Sequence, residues 1–327
     1  MEAAAPWRNV LDELHTHGIE ARAVAIERLE ETCARVRETL DDAGFPGEVA
    51  RGIADDLGSE VPSRIPATAP TPQADDAGAP RPVRSVLVAA IARPLTQAKL
   101  TWRGETHTVT VPPHYAGYAA VPRALAQRVD ELLRPHGYSA LHCEPPLKTL
   151  AVCAGLARYG RNNVAYVAGL GSWLQLGACV SDAPPPQDAA WGEPQSLERC
   201  ERCSACLRAC PTGAIGPDRF LLHTERCLTW HNERREALPS WIDRSVHHCA
   251  VGCLRCQQVC PDNARIHLVQ AAPEWFDEHE TAAILDAEES GDDLASLDDA
   301  TREKLARCGL DYSPGVVARN IRLLLDA

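Results

Sequence analysis

The sequence predicts an α+β protein, a mixed α/β domain followed by a bacterial-ferredoxin-like segment, and three observations predict it. Apolar residues recur at helical spacing near the N-terminus, short apolar runs of strand length begin at residue 85, and two dense cysteine runs follow between residues 200 and 261. Strands and helices do not alternate regularly in the middle of the chain, so antiparallel pairing is expected rather than a doubly wound parallel sheet.

Residues 1–58 read as N-terminal helices, with Val10, Leu11 and Leu14 and later Val24, Ile26 and Leu29 at roughly helical intervals. Residues 59–82 are rich in proline and alanine and poor in large apolar groups, which is the composition of a linker or long loop. The run Ser85–Ala92 (SVLVAAIA) then has the length and content of a buried strand, and Arg103-Gly104 in KLTWRGETHTVTV marks a hairpin turn. Helical spacing returns over 121–133, a strand is expected over 138–143, and the prolines of Glu144-Pro145-Pro146 open a helix over 147–159. Residues 83–190 thus form the α/β domain, packed with 1–58. Residues 191–268 carry the cysteines, and 269–327 read as a helical tail.

The cysteine spacing carries chemistry. Cys200-x2-Cys203-x2-Cys206-x3-Cys210-Pro211 is the bacterial ferredoxin run, in which three thiolates hold one 4Fe-4S cluster and the cysteine before proline crosses to the other. The second run, Cys253-x2-Cys256-x3-Cys260-Pro261, is one thiolate short on its N-terminal side. The first cluster is therefore assigned to Cys200, Cys203, Cys206 and Cys260, and the second to Cys210, Cys227, Cys253 and Cys256, with Cys249 able to replace Cys227. A disulfide framework is disfavoured by the lack of a secretory leader, and zinc sites usually pair two CxxC elements. Cys33, Cys143, Cys153, Cys179 and Cys308 lack ligand spacing and read as small buried apolar residues.

Charge and hydropathy narrow the partners. With 45 acidic against 33 basic residues the formal net charge is -12, and no Lys/Arg cluster has the look of a nucleic-acid footprint. No run of about 18 apolar residues is present, so a soluble, cytoplasmic protein with no membrane partner is expected. Two clusters need only about 70 residues, and the larger upstream region is expected to hold the chemistry they feed.

Upstream of the cysteines, Ala154-Gly155-Leu156 leads to Tyr159-Gly160-Arg161-Asn162-Asn163 and then to Gly171-Ser172-Trp173. Arg226-Cys227, GCLRCQQVCPDN and a short Val317-Ala318-Arg319-Asn320-Ile321 follow in order. Over about residues 83–265 this succession resembles the epoxyqueuosine reductase family of cobalamin-dependent iron-sulfur enzymes, especially its YGRNN-containing relatives. The resemblance implies an N-terminal cobalamin-reductase domain of nitroreductase-like fold, clusters that deliver electrons to cobalt, and a corrinoid lined by residues 160–177. Gly160, Arg161, Asn162, Asn163, Gly171, Ser172 and Trp173 are the positions carried across.

The chain departs from the family in two places. Where the family has an acid in an Asp-Ser-x-Pro element, this chain has His142-Cys143-Glu144-Pro145-Pro146. Glu144 is then the nearest proton donor, with Tyr115 and Lys148 as further catalytic candidates and Tyr118 and His142 as alternatives. The helical tRNA-gripping tail of longer members is replaced by about 60 acidic-rich residues. The expectation is therefore a reductase of a small organic substrate, by deoxygenation or dehalogenation, fed by an external donor such as ferredoxin or flavodoxin. Epoxyqueuosine in tRNA is the alternative substrate. A two-cluster electron-transfer or corrinoid-reactivating protein is the reading from a different class.

Overall fold

The computed structural model describes residues 6–42, 61–66, 79–217, 220–266, 270–290, 297–311 and 313–326. Helix α1 (Pro6–Thr16) buries Trp7, Val10 and Leu14 on one face, the spacing that the sequence displays. The next segment is not helical. Strand β1 (Ile19–Ala25) precedes α2 (Glu27–Asp42), so Val24 lies on a strand and Ile26 at its end. The correction has a tertiary cause: β1 pairs with a neighbouring strand along its whole length, and in so short a window period 2 and period 3.6 share positions. Most of the proline-rich stretch lies outside the described residues; its two ends form the short strands β2 (Arg64–Ile65) and β3 (Arg81–Pro82), which pair antiparallel.

Next come β4 (Ser85–Ala92), β5 (Thr96–Trp102), β6 (Glu105–Val111), α3 (Ala120–Leu133), β7 (Ala140–Cys143) and α4 (Leu147–Cys153). The expected helix over 147–159 thus stops early. Gly155 takes φ 68°, and the Leu156 amide turns back to the Ala151 carbonyl at 2.9 Å, which closes the helix as a left-handed glycine does. The chain is then free to form β8 (Arg158–Tyr159) and β9 (Ala165–Tyr166), which pair, and β10 (Leu174–Ser181).

The main sheet has the order β1-β4-β10-β7 and is antiparallel throughout. β4 lies inside it with both faces covered, which is why its sequence is a continuous apolar run. Leu87 and Ala89 pack with Trp7, Val10 and Leu14 of α1 and Leu125 and Val129 of α3. Val86, Val88 and Ala90 face the other way, against Leu29 of α2 and Leu150 of α4. The result is a three-layer α/β/α domain.

The cysteine segment contributes only one-turn helices: α5 (Ala205–Ala209), α6 (Leu228–Asn232) and α7 (Arg255–Gln258). Beyond it come β11 (Glu274–Phe276), α8 (Glu278–Ser290), α9 (Asp299–Cys308) and α10 (Pro314–Leu325). β11 pairs parallel with β5, and β5 with β6 through a two-residue turn in which Arg103 (φ 52°) and Gly104 (φ 78°) are both left-handed, as a tight hairpin requires. Phe276, Ile284, Leu305 and Ile321 cover this second sheet around Leu100 and Val109. The C-terminal part is therefore not a helical appendage; its first element completes a sheet begun near residue 96. Ala250 and Val251 enter the same core, and the Ala250 amide donates to the Thr110 carbonyl at 3.1 Å, so the cysteine segment is anchored between the two sheets.

Candidate functional site

Four thiols meet at one cavity. Cys200, Cys203, Cys206 and Cys260 line it together with Arg161, Asn162 and Tyr166 of the α/β domain. They ring the cavity rather than converge on one point, and among the described residues no three His, Cys, Asp or Glu side chains meet at a single-ion site. Cys210, Cys227, Cys253 and Cys256 are the second set: the charge of Cys210 acts on Cys227, and that of Cys227 on Cys253 and Cys256. Burial raises the thiol pKa of Cys200, Cys206, Cys227, Cys253 and Cys256, Cys253 to about 12, and neighbouring thiolates add to the effect. Thiols held in this way become thiolates when iron supplies the compensating charge. The donor chemistry and the two groups of four fit a pair of iron-sulfur clusters.

Cys249 lies near enough to the second group to act on the charge of Cys253. It is fully buried among Leu95, Trp173 and Leu254, with its pKa pushed to about 12 by burial. His248 accepts the Leu254 amide at Nε2 (3.1 Å) and approaches Cys253 Sγ at 3.8 Å, while its Nδ1 faces the Val246 carbonyl at 3.0 Å. The remaining non-ligand cysteines, Cys33, Cys143, Cys153, Cys179 and Cys308, are all buried.

The residues expected to line a corrinoid point instead at the cysteine segment. Arg161 donates its backbone N–H to Cys200 Sγ at 3.3 Å. Its guanidinium donates to the carbonyls of Cys200 (2.5 Å), Cys203 (3.2 Å) and Pro217 (3.2 Å), clamping the first cysteine loop. Ser172 donates its amide to Asn263 Oδ1 at 2.9 Å and its hydroxyl to Gln257 Oε1 at 2.8 Å. Asn263 in turn donates to Ser172 Oγ and to the Gln257 carbonyl, pinning the second loop. Trp173 packs beside Cys249 and Leu254, and Gly171 (φ 58°) leaves no room for a side chain against Asn263 and Ile266. Gly160 is likewise closed in by Asn162 and Tyr166, and Asn163 (φ 57°) accepts two hydrogen bonds from Lys148. Gly177, at the far end of the expected lining, faces Pro122 and Leu125 of α3. These side chains join two domains, and Gly160, Arg161 and Asn162 also line the cavity shared with the first four thiols.

The three catalytic candidates are not gathered at one point. Tyr115 is buried in the second core, and its hydroxyl donates to the Glu233 carboxylate. Glu144 is exposed, with His142 Nε2 at 3.6 Å, and does not lie in a closed apolar pocket. Lys148 sits on α4 as an exposed residue whose ammonium donates to Asn163; desolvation lowers its pKa, and the nearby Cys227 charge opposes that. Tyr118 is exposed. Two contributors escaped sequence reading, Tyr166 and Asn263. Asn263 stands three residues after Cys260, a position that could have marked it; nothing local distinguishes Tyr166. The C-terminal Arg319-Asn320 pair also closes on the cysteine segment, Arg319 donating to the carbonyls of His231, Arg234 and Glu236 and Asn320 to those of Asn232 and Ala250.

The fold and the two thiol groups define an iron-sulfur protein with a double-cluster domain, and residues 199–263 match the family described as 4Fe-4S double cluster binding domain. Over about two fifths of its length the chain resembles the epoxyqueuosine reductases. It is 36% identical over 143 residues to that of Pseudomonas aeruginosa, covering 42% of this chain and 38% of the relative. To that of Synechocystis sp. it is 37% identical over 120 residues, covering 36% and 39%. The alignments thus span about two fifths of these curated relatives. The fold of Bacillus subtilis epoxyqueuosine reductase superposes with a TM-score of 0.60 at 17% identity, covering 98% of this chain and 80% of that one. An epoxyqueuosine reductase solved with an epoxyqueuosine-modified tRNA-Tyr stem loop gives a TM-score of 0.52 at 20% identity over 74% of this chain and 64% of that one.

These relatives overturn two expectations, a small organic molecule as substrate and tRNA as a disfavoured partner. Both leaned on net charge, and a whole-chain sum hides segregation. The segment that matches the double-cluster family holds nine arginines against seven acidic residues, while the chain totals -12. Among the described residues no helix is long and apolar enough to cross a membrane.

Proposed function

We propose that this chain is a cytoplasmic iron-sulfur oxidoreductase of the epoxyqueuosine reductase type, which removes the epoxide oxygen of epoxyqueuosine in tRNA. The observation that carries the reading is the join between domains. Loops 158–173 of the α/β domain contact both cysteine runs through Arg161 and Ser172, so any substrate held by that domain lies beside the electron source. Similarity to epoxyqueuosine reductases supports the substrate.

In this proposal Cys200, Cys203, Cys206 and Cys260 hold one cluster, and Cys210, Cys227, Cys253 and Cys256 the other. Cys227 is preferred to Cys249 because it interacts with Cys210, Cys253 and Cys256, whereas Cys249 interacts with Cys253 and is otherwise packed among apolar side chains. The clusters supply electrons one at a time. Converting an epoxide to an alkene releases its oxygen as water and consumes two electrons and two protons, so the chain must also deliver protons. Lys148 is the candidate for that task, since its ammonium is held on Asn163 and is near enough to the second thiol group to feel the Cys227 charge. Glu144, on the exposed approach to the same helix, is the second candidate.

The test is anaerobic reconstitution with iron and sulfide, reaction with epoxyqueuosine-containing tRNA and a low-potential reductant, and nucleoside mass analysis with and without added cob(II)alamin. Conversion to the deoxygenated nucleoside supports the reading, and cobalt retained after removal of free cofactor adds the corrinoid. Fully reduced clusters beside unchanged tRNA in both conditions would sink it.

A further inference from the structure

Arg93, just past the end of β4, is half-buried and carries a guanidinium that no acid among the described residues neutralises. Its side chain makes one hydrogen bond, from Nη2 to the Ala116 carbonyl at 2.6 Å. Nε is buried without a partner, while Nη1 makes no hydrogen bond and stays open to solvent. Burial lowers its pKa, and no neighbouring charge opposes that. Desolvating a cation without a counter-charge is unfavourable, and a bound anion would offset the cost.

The start of α3, beside this guanidinium, is arranged for the same charge. Ala116 stands four residues before Ala120, so the carbonyl that would accept the Ala120 amide in a longer helix is held by Arg93 instead. Among the described residues the amides of Ala119 and Ala120 donate to no backbone carbonyl, no side chain caps the helix, and its first turn has no acid. Gln175 is 5% exposed; its Nε2 donates to the Tyr118 carbonyl at 2.6 Å, and its buried Oε1 has no donor. Between the two clamped carbonyls Gly117 is left-handed, and a Cβ there would lie 3.6 Å from Arg93 Nη2. The Arg93 amide donates to the Trp173 carbonyl at 3.0 Å, and Trp173 packs with Leu254 of the second cysteine run. The unpartnered groups therefore lie where the α/β domain meets the electron source.

Resting on the tRNA reading, we propose that Arg93 and the uncapped start of α3 form a phosphate site that holds a backbone phosphate of the bound tRNA. The guanidinium and the two helix amides are donors without acceptors, and phosphate oxygens accept from both. A nucleotide fits better than a free phosphate. It also brings a ribose 2′-hydroxyl, the kind of donor that Gln175 Oε1 lacks, and a base to lie against Tyr118, which is 57% exposed.

The experiment is filter binding of epoxyqueuosine-containing tRNA to the full chain, reconstituted with iron and sulfide, across a salt series and with inorganic phosphate as competitor at constant ionic strength. Arg93→Ala is expected to weaken binding about tenfold. It should also flatten the slope of log affinity against log salt by about 0.7–1, the share of one phosphate. Arg93→Lys keeps the charge and should keep most of the slope. Gln175→Ala loosens the same loop without removing a charge, so it should weaken binding while retaining the parent's slope. A parent-like slope in Arg93→Ala, or equal flattening in Gln175→Ala, overturns the inference, while conversion of tRNA by the parent leaves the functional reading intact. Phosphate binding that depends on Arg93, beside tRNA affinity that does not, would make this a free-anion site and overturn the RNA assignment. A parent chain that neither binds nor converts the tRNA overturns both.

Discussion

Cys227 and Cys249 illustrate how much a single residue's neighbours decide. Both lie between the two cysteine runs, and spacing alone leaves either able to complete the second cluster. In the folded chain Cys227 shares charge interactions with Cys210, Cys253 and Cys256, whereas Cys249 interacts with Cys253 and fills an apolar nest with Trp173 and Leu254. Cys227→Ala should therefore cost one of two clusters, lowering iron by about half in a colorimetric assay. Cys249→Ala should retain both and lose only packing. The reverse outcome would exchange their roles. Seven of the eight assigned thiols were legible in the sequence because ferredoxin spacing is a local property. The eighth was not, because its choice depends on which loop folds over the cluster.

At the scale of elements, the loop between β9 and β10 matters most, since it carries Gly171, Ser172 and Trp173 onto the second cysteine run. Gly171 is left-handed, with Asn263 where a Cβ would sit. Gly171→Ala should therefore destabilise the protein by about 1–3 kcal/mol, from backbone strain before any rearrangement of Asn263. Chemical denaturation measures that loss, and limited proteolysis should find the cysteine segment cut first. An unchanged midpoint would mean that the loop yields without cost. The sequence marks these glycines as special but not what they approach. Their partners lie about 90 residues away, as Ser172 and Asn263 do, and glycine-rich loops read alike whether they face a ligand or another loop. The strand Ile19–Ala25 was hidden for a related reason, since its identity comes from pairing with Ser85–Ala92 rather than from its own residues.

Across the whole molecule, charge is unevenly shared. The -12 total coexists with an arginine excess in the double-cluster segment, so tRNA binding, if carried by that segment, must be electrostatic and local. Affinity for tRNA should then fall steeply as salt rises from about 50 to 200 mM, in proportion to the number of phosphates neutralised. A filter-binding titration at several salt concentrations checks this, and a flat dependence would remove the arginines from the interface.

The amino-acid sequence by itself determined the α+β class, the two-cluster chemistry and the buried central strand, because ligand spacing and apolar runs are written in neighbouring residues. Only the tertiary structure decided that the YGRNN and GSW loops clamp the cysteine segment, that residues 274–276 complete a sheet begun near residue 96, and that Asn162 and Tyr166 hydrogen-bond each other beside the first four thiols. These are contacts between segments far apart in the chain, and their partners are chosen by packing and hydrogen-bond satisfaction in three dimensions, which no local pattern records.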